Sequence, residues 1–295
     1  KPAPSVARVS ETLFSLVPKG LPLIGAWLSH EDTLKAIEDT DAMAFTGSTH
    51  TGRLLAAHAG KHLKKTVLEL GGSNPFIILP DADLQRAAVD ACYSRFRDAG
   101  QSCNAAKRIV VTQDIAEQFI PLFLAECAKL QTGNPKDPNT TLAPLHRQDL
   151  RQTVHEQVQD AVAHGAQCLS GGYIPEGESW FYPATVLDQV NPNCRVWYEE
   201  VFGPIAMILR ADNPDHAVAL ANDTPFGLGA CIYTADTANA WQYAERIQAG
   251  SVFINRHTSS DLRLPFGGVK ASGYGRELSE FGLYEFVNVK TYWQK

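Results

Sequence analysis

The sequence predicts an α/β fold built on a parallel sheet. Short apolar, β-branched runs alternate with stretches of helical periodicity along nearly the whole chain, and several of these runs end in glycine-bearing turns that lead into a helix. The composition agrees: 295 residues, 44% hydrophobic and 20% charged, are enough for a sizeable core and for two domains of ordinary size or one large one.

In chain order, "LPLIGAWLS" predicts a strand, "HEDTLKAIED" a short helix and "AMAFTGS" a strand running into a turn. "THTGRLLAAHAGKHL" has helical periodicity, and "KKTVLELGG" is a β-branched strand closed by two glycines, where composition places a boundary near Gly71–Gly72. "NPFIIL" (strand), "ADLQRAAVDACYSRF" (helix), "KRIVVT" (strand) and "IAEQFIPLFLAECAKL" (amphipathic helix) follow, and "TGNPKDPNTTLAPL" is a polar, proline-bearing loop. The helix "DLRQTVHEQVQDAVAHG" leads to the runs "AQCLSGG", "FYPATVL" and "IAMILRA". The helix "PDHAVALAND", strand "GACIYTA", helix "ANAWQYAERI" and strand "GSVFIN" precede the glycine-rich "PFGGVKASGYGRE". The tail "YEFVNVKTYWQK" predicts a final strand.

Several function classes are excluded on composition. A net charge of −6 with no dominant basic patch argues against nucleic acid as a partner. No apolar run approaches the roughly 20 residues that span a bilayer, and "KPAPSVARVS" leads into no signal-peptide core, so the expected location is cytoplasmic, away from membranes. The six cysteines form no CxxC pair, so neither a zinc ribbon nor a disulfide framework is expected, and no metal site is assigned. HExxH, GxxxxGK[ST] and GxSxG are absent, and the nine dispersed histidines read as surface or satisfied core residues.

Four places remain where chemistry can sit. Cys103 follows Gly-Gln-Ser and precedes the cations Lys107 and Arg108; a turn or helix start there would aim backbone N–H groups at the sulfur and stabilise a thiolate. Its own neighbourhood leaves nucleophile and inert turn cysteine equally open. Glu69 lies within a β-branched strand, where it is either a buried general base with a raised pKa or a solvent-facing glutamate. Gly47 and Ser48 sit between a strand and a helix, where a pyrophosphate rests on helix N–H groups, although GxGxxG is not present. Glu199, Glu200 and Phe202 precede a Gly-Pro turn and in isolation read as a solvated acidic loop.

Taken in order, "KPAP", "FTGSTHTG", "LELGGSNPFIILPDADL", "GQSCNAAKR", "EEVFGP", "NDTPFGLGA" and "PFGGVKASGYGRE" resemble the aldehyde dehydrogenase superfamily from end to end. Within it, the chain is most similar to bacterial NAD(P)-dependent succinate-semialdehyde dehydrogenases. The resemblance implies an incomplete Rossmann-type cofactor domain in residues 1–71 and a complete α/β catalytic domain in 72–271. It makes 272–295 a return segment and oligomerisation strand of a homodimer or homotetramer. Cys103 would attack the aldehyde, with its own N–H in the oxyanion hole, and Glu69 would activate the water that hydrolyses the resulting thioester. Lys1, Gly47, Ser48, Leu70, Glu200 and Phe202 would hold the cofactor. Many NAD-preferring relatives have a glutamate that repels a 2′-phosphate where this chain has Pro4, so NADP is expected to be accepted, along with NAD. Arg97, six residues before Cys103, would grip a substrate carboxylate with help from Ser259 or Ser260, while Arg263 reads as a surface cation.

Two alternatives stay open: a non-catalytic oligomerising fragment, and a thiol-dependent esterase that needs no nicotinamide. The family's chains are longer than this one, whose first residue matches the cofactor lysine. The first part of the cofactor domain, with the asparagine that donates to the oxyanion, is therefore expected to be missing; Asn74 and Asn104 match a different position. Since one lost oxyanion donor costs about 10²–10³ in rate, purified 1–295 is expected to reduce NAD(P) at a rate lower by at least that factor than a chain extended to family length. Comparable rates in a side-by-side absorbance assay would refute this.

Overall fold

A computed structural model describes residues 1–177 and 179–295. They form two compact units, Lys1–Ala44 with Arg53–Thr66, and Phe45–Gly52 with Val67–Lys295.

The first unit contains α1 (Ala7–Ser15), α2 (His30–Asp39), the start of β1 (Ala42–Thr46) and most of α3 (Thr49–Lys61). A 3-10 turn, Pro4–Val6, begins α1, with proline where its missing N–H costs nothing. Ser29 caps α2 by accepting from the Asp32 N–H at 3.0 Å, and Glu31 and Asp32 in the first turn suit the positive end of the helix. Residues 21–29, predicted as a strand, are irregular, and Ile24 is exposed. A strand exists only with a ladder partner, and among the described residues this stretch has none. The helix α1 was not foreseen in the sequence.

The second unit is a layered α/β body. Its chain continues from β2 (Lys65–Glu69), which begins in the first unit, through β3 (Asn74–Ile78), α4 (Leu84–Phe96), β4 (Ala106–Thr112), α5 (Gln113–Cys127) and α6 (Gln148–Ala163). It goes on through β5 (Gln167–Ser170), β6 (Thr185–Asp188), α7 (Arg195–Tyr198), β7 (Ile205–Ala211), α8 (Pro214–Asn222), β8 (Phe226–Gly227) and β9 (Gly229–Tyr233). It closes with α9 (Thr237–Arg246), β10 (Ser251–Ile254), β11 (Val269–Lys270), β12 (Gly273–Tyr274) and α10 (Ser279–Tyr284).

Seven strands form one sheet in the order β10-β9-β3-β4-β7-β6-β5. Every neighbouring pair is parallel except the edge pair β5–β6. Strands β3, β4 and β9 are buried at every position, which is why their apolar residues come in unbroken runs, Phe76–Ile78, Ile109–Val111 and Ala230–Tyr233, rather than alternating; the two cations of β4 are buried too. Phe96 of α4 stacks on Phe123 of α5, and Phe123 on Phe119, so the aromatic residues of the two helices share one core.

The glycine-rich segment near the C-terminus forms two small ladders. In one, β12 pairs antiparallel with β2, setting Gly273 against Glu69 and Tyr274 against Leu68; in the other, β11 pairs with β8. The predicted final strand is absent. Beyond α10 the chain is irregular and leaves Val289, Tyr292 and Trp293 exposed, because among the described residues it too has no ladder partner. Among the described residues no helix is long and apolar enough to cross a membrane.

Candidate active site

Helix α4 ends at Phe96, and the chain then turns through three residues of positive φ: Asp98 (53°), Ala99 (53°) and Gly100 (71°). Two of these bear side chains, so the turn is strained, and it persists because its surroundings hold it. A Cβ on Gly100 would run into the Gly203 carbonyl. The fully buried Arg95 donates to the carbonyls of Val201 and Gly203, fixing the same loop. Cys103 follows in a turn, half-buried.

The two cations after Cys103 have separate duties. Lys107 is completely buried, and its Nζ donates to the carbonyls of Ser102 and Cys103, both at 2.9 Å, and to Glu200 Oε1 at 3.2 Å. An ammonium has three protons to place, and these acceptors take them all. Arg108 serves the scaffold: it donates to the Ala221 and Asp223 carbonyls and lies over Trp197. The expected stabilised thiolate is not the resting state. Lys107 and the Asn104 N–H do pull the Cys103 thiol down, but burial outweighs them, with Glu200 and Glu69 pushing the same way, so the pKa is raised above the ordinary value. Cys103 rests as a neutral thiol and needs a base.

Glu69, at the end of β2, is buried, and neither of its oxygens has a hydrogen-bond partner. Burial pushes its carboxyl up to about 8; the Glu277 charge adds to this and Arg276 opposes it. Of the two readings of this residue, the buried one holds. A Cβ on Gly267 would come within 2.7 Å of Glu69 Oε1, so that glycine leaves the carboxyl its room.

The two glycines after Glu69 allow close approach from other chain segments. Gly72 N–H donates to Glu200 Oε1 at 3.0 Å. A Cβ on Gly71 would lie 2.6 Å from Glu200 Oε2, and one on Gly72 would lie 2.5 Å from the Cys103 carbonyl. Ser272 Oγ donates to the Gly71 carbonyl at 2.6 Å and accepts from Gly227 N–H, while its carbonyl accepts from Leu70 N–H. Leu70 is buried against Gly52 of α3. Ser48 caps α3 by accepting from Thr51 N–H, and Gly47 N–H donates to the Glu69 carbonyl, so the turn and the strand bearing Glu69 are joined. Gly47 and Ser48 are exposed, Phe202 is half-buried, and Lys1 is exposed in the first unit.

Arg97 donates to Asn104 Oδ1 at 3.4 Å and lies over the Tyr93 ring, whose edge meets His257. Asn104 is anchored in turn, because its carbonyl accepts from Asn74 at 3.1 Å and from Thr258 at 2.6 Å. Arg97 also lines a groove of about 450 Å³ with Val89, Tyr93, Glu126 and Lys129, a lining that does not include Cys103. Ser259 Oγ is buried without a partner, Ser260 is exposed, and Arg263 pairs with Asp261 at the surface. Sequence reasoning missed Arg95, Asn74, Thr258, His257 and Ser272 and the distinct duty of Lys107. For Arg95, Asn74 and Lys107 the available signal was a polar residue within a buried helix or strand; His257, Thr258 and Ser272 lie in irregular segments that carry no such signal.

Two measurements test these electrostatics. Iodoacetamide labelling of Cys103, followed by mass spectrometry across pH, is expected to inflect above an ordinary thiol, and Lys107→Gln is expected to move the inflection higher still. For Glu69, the folded carboxyl keeps its proton to about 8 while the unfolded one loses it near 4.5, so stability falls as pH rises through that window. Urea midpoints of Glu69→Gln are expected to gain on the native protein across the same window.

The chain matches the aldehyde dehydrogenase family over residues 2–292. It is 44% identical over its whole length to the succinate semialdehyde dehydrogenase [NAD(P)+] of Escherichia coli, covering 65% of that protein. It is 48% identical over 85% of its length to succinate-semialdehyde dehydrogenase [NADP(+)] 1 of Mycobacterium tuberculosis, covering 55% of that protein. Among solved structures, the succinic semialdehyde dehydrogenase of Streptococcus pyogenes with NADP+ superposes with a TM-score of 0.86 at 38% identity, over 88% of this chain and 58% of that one. The chain thus spans 55% to 65% of the length of these relatives. On the family match and these identities together, the chain belongs to the aldehyde dehydrogenase family.

Proposed function

We propose that this chain carries the catalytic centre of an NAD(P)-dependent enzyme oxidising a short aldehyde with a carboxylate at its far end, succinate semialdehyde being the favoured substrate. One observation carries the reading: a half-buried thiol that needs a base is within electrostatic reach of a buried carboxyl that no protein group satisfies. The printed activities of the relatives support it.

Glu69, in its ionised fraction, takes the proton from Cys103 Sγ. At pH 7, one unit below a value of about 8, about a tenth of Glu69 is ionised. Sγ then bonds to the aldehyde carbon, and the carbonyl electron pair moves to oxygen, facing the Cys103 N–H. The exposed Gly47–Ser48 turn at the start of α3 suits a pyrophosphate, since a Cβ on Gly47 would meet the Phe45 ring at 2.6 Å and only glycine keeps that surface bare. Gly47, Ser48 and Leu70 would hold the cofactor's pyrophosphate side and Glu200 and Phe202 its nicotinamide side, and the nicotinamide would supply the hydride acceptor. Loss of hydride from the carbon bonded to Sγ would leave acyl-Cys103. Glu69, once it has passed the Cys103 proton to solvent, also serves this thioester: it draws a proton from water, the water oxygen bonds to the acyl carbon, and the C–S bond breaks, the departing thiolate taking up a proton to return the thiol. Cofactor residues 1–71, catalytic residues 72–271 and a return segment 272–295 are the domain reading that fits these roles. The exposed apolar tail, Phe286 to Trp293, is suited to complete a neighbouring subunit's sheet in a homodimer or homotetramer.

Arg97 sets the substrate in this reading. In the protein at its relatives' length, Arg97→Ala is expected to raise KM for succinate semialdehyde by about 10–100-fold, the worth of charge-assisted hydrogen bonds, and to leave butanal nearly unchanged. Steady-state kinetics on both aldehydes decides it, because equal changes would remove Arg97 from the carboxylate site.

A further inference from the structure

The first unit carries a cluster that the proposed reaction does not use. His58 lies in the last turn of α3 and His62 in the turn just beyond its end, and their ring centroids are 4.9 Å apart. Glu38, from the last turn of α2, meets both: its Oε1 lies 3.1 Å from His58 Nε2 and 3.5 Å from His62 Nε2. The three donor atoms fall within 4.8 Å of one another.

An ion pair accounts for only part of this. Elsewhere His164 meets Asp160 and His216 meets Asp212, one histidine to one carboxylate within a single helix turn. Here two imidazoles, one from the end of α3 and one from the turn after it, converge on one oxygen of Glu38 in α2, and His62 Nε2, although buried, makes no hydrogen bond. His58 Nε2 has a second neighbour, the Leu34 carbonyl at 3.1 Å, which takes its ring proton when no metal is bound.

The separations suit a shared cation. With metal–nitrogen and metal–oxygen bonds of about 2.0–2.1 Å, the edges of a tetrahedral site are about 3.3–3.4 Å, and the two observed nitrogen–oxygen separations lie on either side of that. Two imidazoles and a carboxylate favour zinc or its neighbours over calcium or magnesium. The side chains are 20%, 30% and 41% exposed for His58, His62 and Glu38, leaving room for a water as fourth ligand. We propose that Glu38, His58 and His62 form a zinc-binding site that staples α2 to α3. The staple falls where other support is thin, because in this unit Ser10, Ile37 and Ala59 are the buried residues among those described.

The test uses Zn²⁺ and Co²⁺ salts alone on the 295-residue chain, with Cys103 and Cys168 changed to serine to remove the two thiols that are not buried. Competition against a chromophoric chelator is expected to show one Zn²⁺ per chain with a Kd of about 10 µM or tighter, together with a rise in Tm. The Co²⁺ complex is expected to show d–d bands without a thiolate charge-transfer band. His62→Asn and Glu38→Gln should each weaken binding tenfold or more, and His216→Asn should not. A thiolate band, the absence of a site at that affinity, or unchanged binding when His58 and His62 are both replaced would overturn the proposal. Far-UV circular dichroism checks that each variant is folded, and the Co²⁺ spectrum of the parent decides the ligand class independently of the variants.

Discussion

The buried ammonium of Lys107 holds the active-site region together. Removing such a charge from water costs several kcal/mol unless its protons are placed, and Lys107 places them on the Ser102 and Cys103 carbonyls and on Glu200. Burial pulls its pKa down while the Glu200 charge opposes that pull, so the lysine and this glutamate depend on each other. Through this contact the nucleophile's loop, the loop bearing Glu200 and the Gly71–Gly72 crossing become one unit, since the same Glu200 oxygen also accepts from Gly72 N–H.

Around that tie the backbone is used at unusually close range. Gly71, Gly72 and Gly267 each occupy a place where a Cβ would press on Glu200, the Cys103 carbonyl or Glu69. The left-handed turn at 98–100 carries the chain from α4 to Cys103 within a few residues and keeps Arg97 on the same side through Asn104. The two site carboxylates are treated oppositely. Glu200 is bonded at its Oε1, whereas Glu69 is buried without a hydrogen-bond partner and holds its proton to about 8. A buried carboxylate without a partner is costly as an anion, which is why Glu69 holds its proton.

The Glu38–His58–His62 cluster shows the reverse design. Its groups lie nearer the surface, convergent and partly satisfied by one another. Such convergence suits the proposed cation, whereas Glu69 is buried with no partner.

The longer strands and helices of the second unit were legible in the sequence, because strands β3, β4 and β9 and helices α4 to α6 carry their own hydrophobic period and length, whereas the short α7, β8, β11, β12 and α10 were not. Cys103 and Glu69, the proposed nucleophile and base, stood out in the sequence as residue types in a recognisable order. The stretch 21–29 and the tail were misread as strands because β structure is completed by a partner that local pattern does not contain. The same limit separates Lys107 from Arg108. Adjacent on β4 and alike in sequence, they point to opposite sides of the sheet, so one reaches Cys103 and Glu200 and the other Ala221, Asp223 and Trp197. The sequence by itself determined which groups were available. The tertiary structure decided which of them lost their water and which found a partner, and those two facts set the protonation of Cys103 and Glu69.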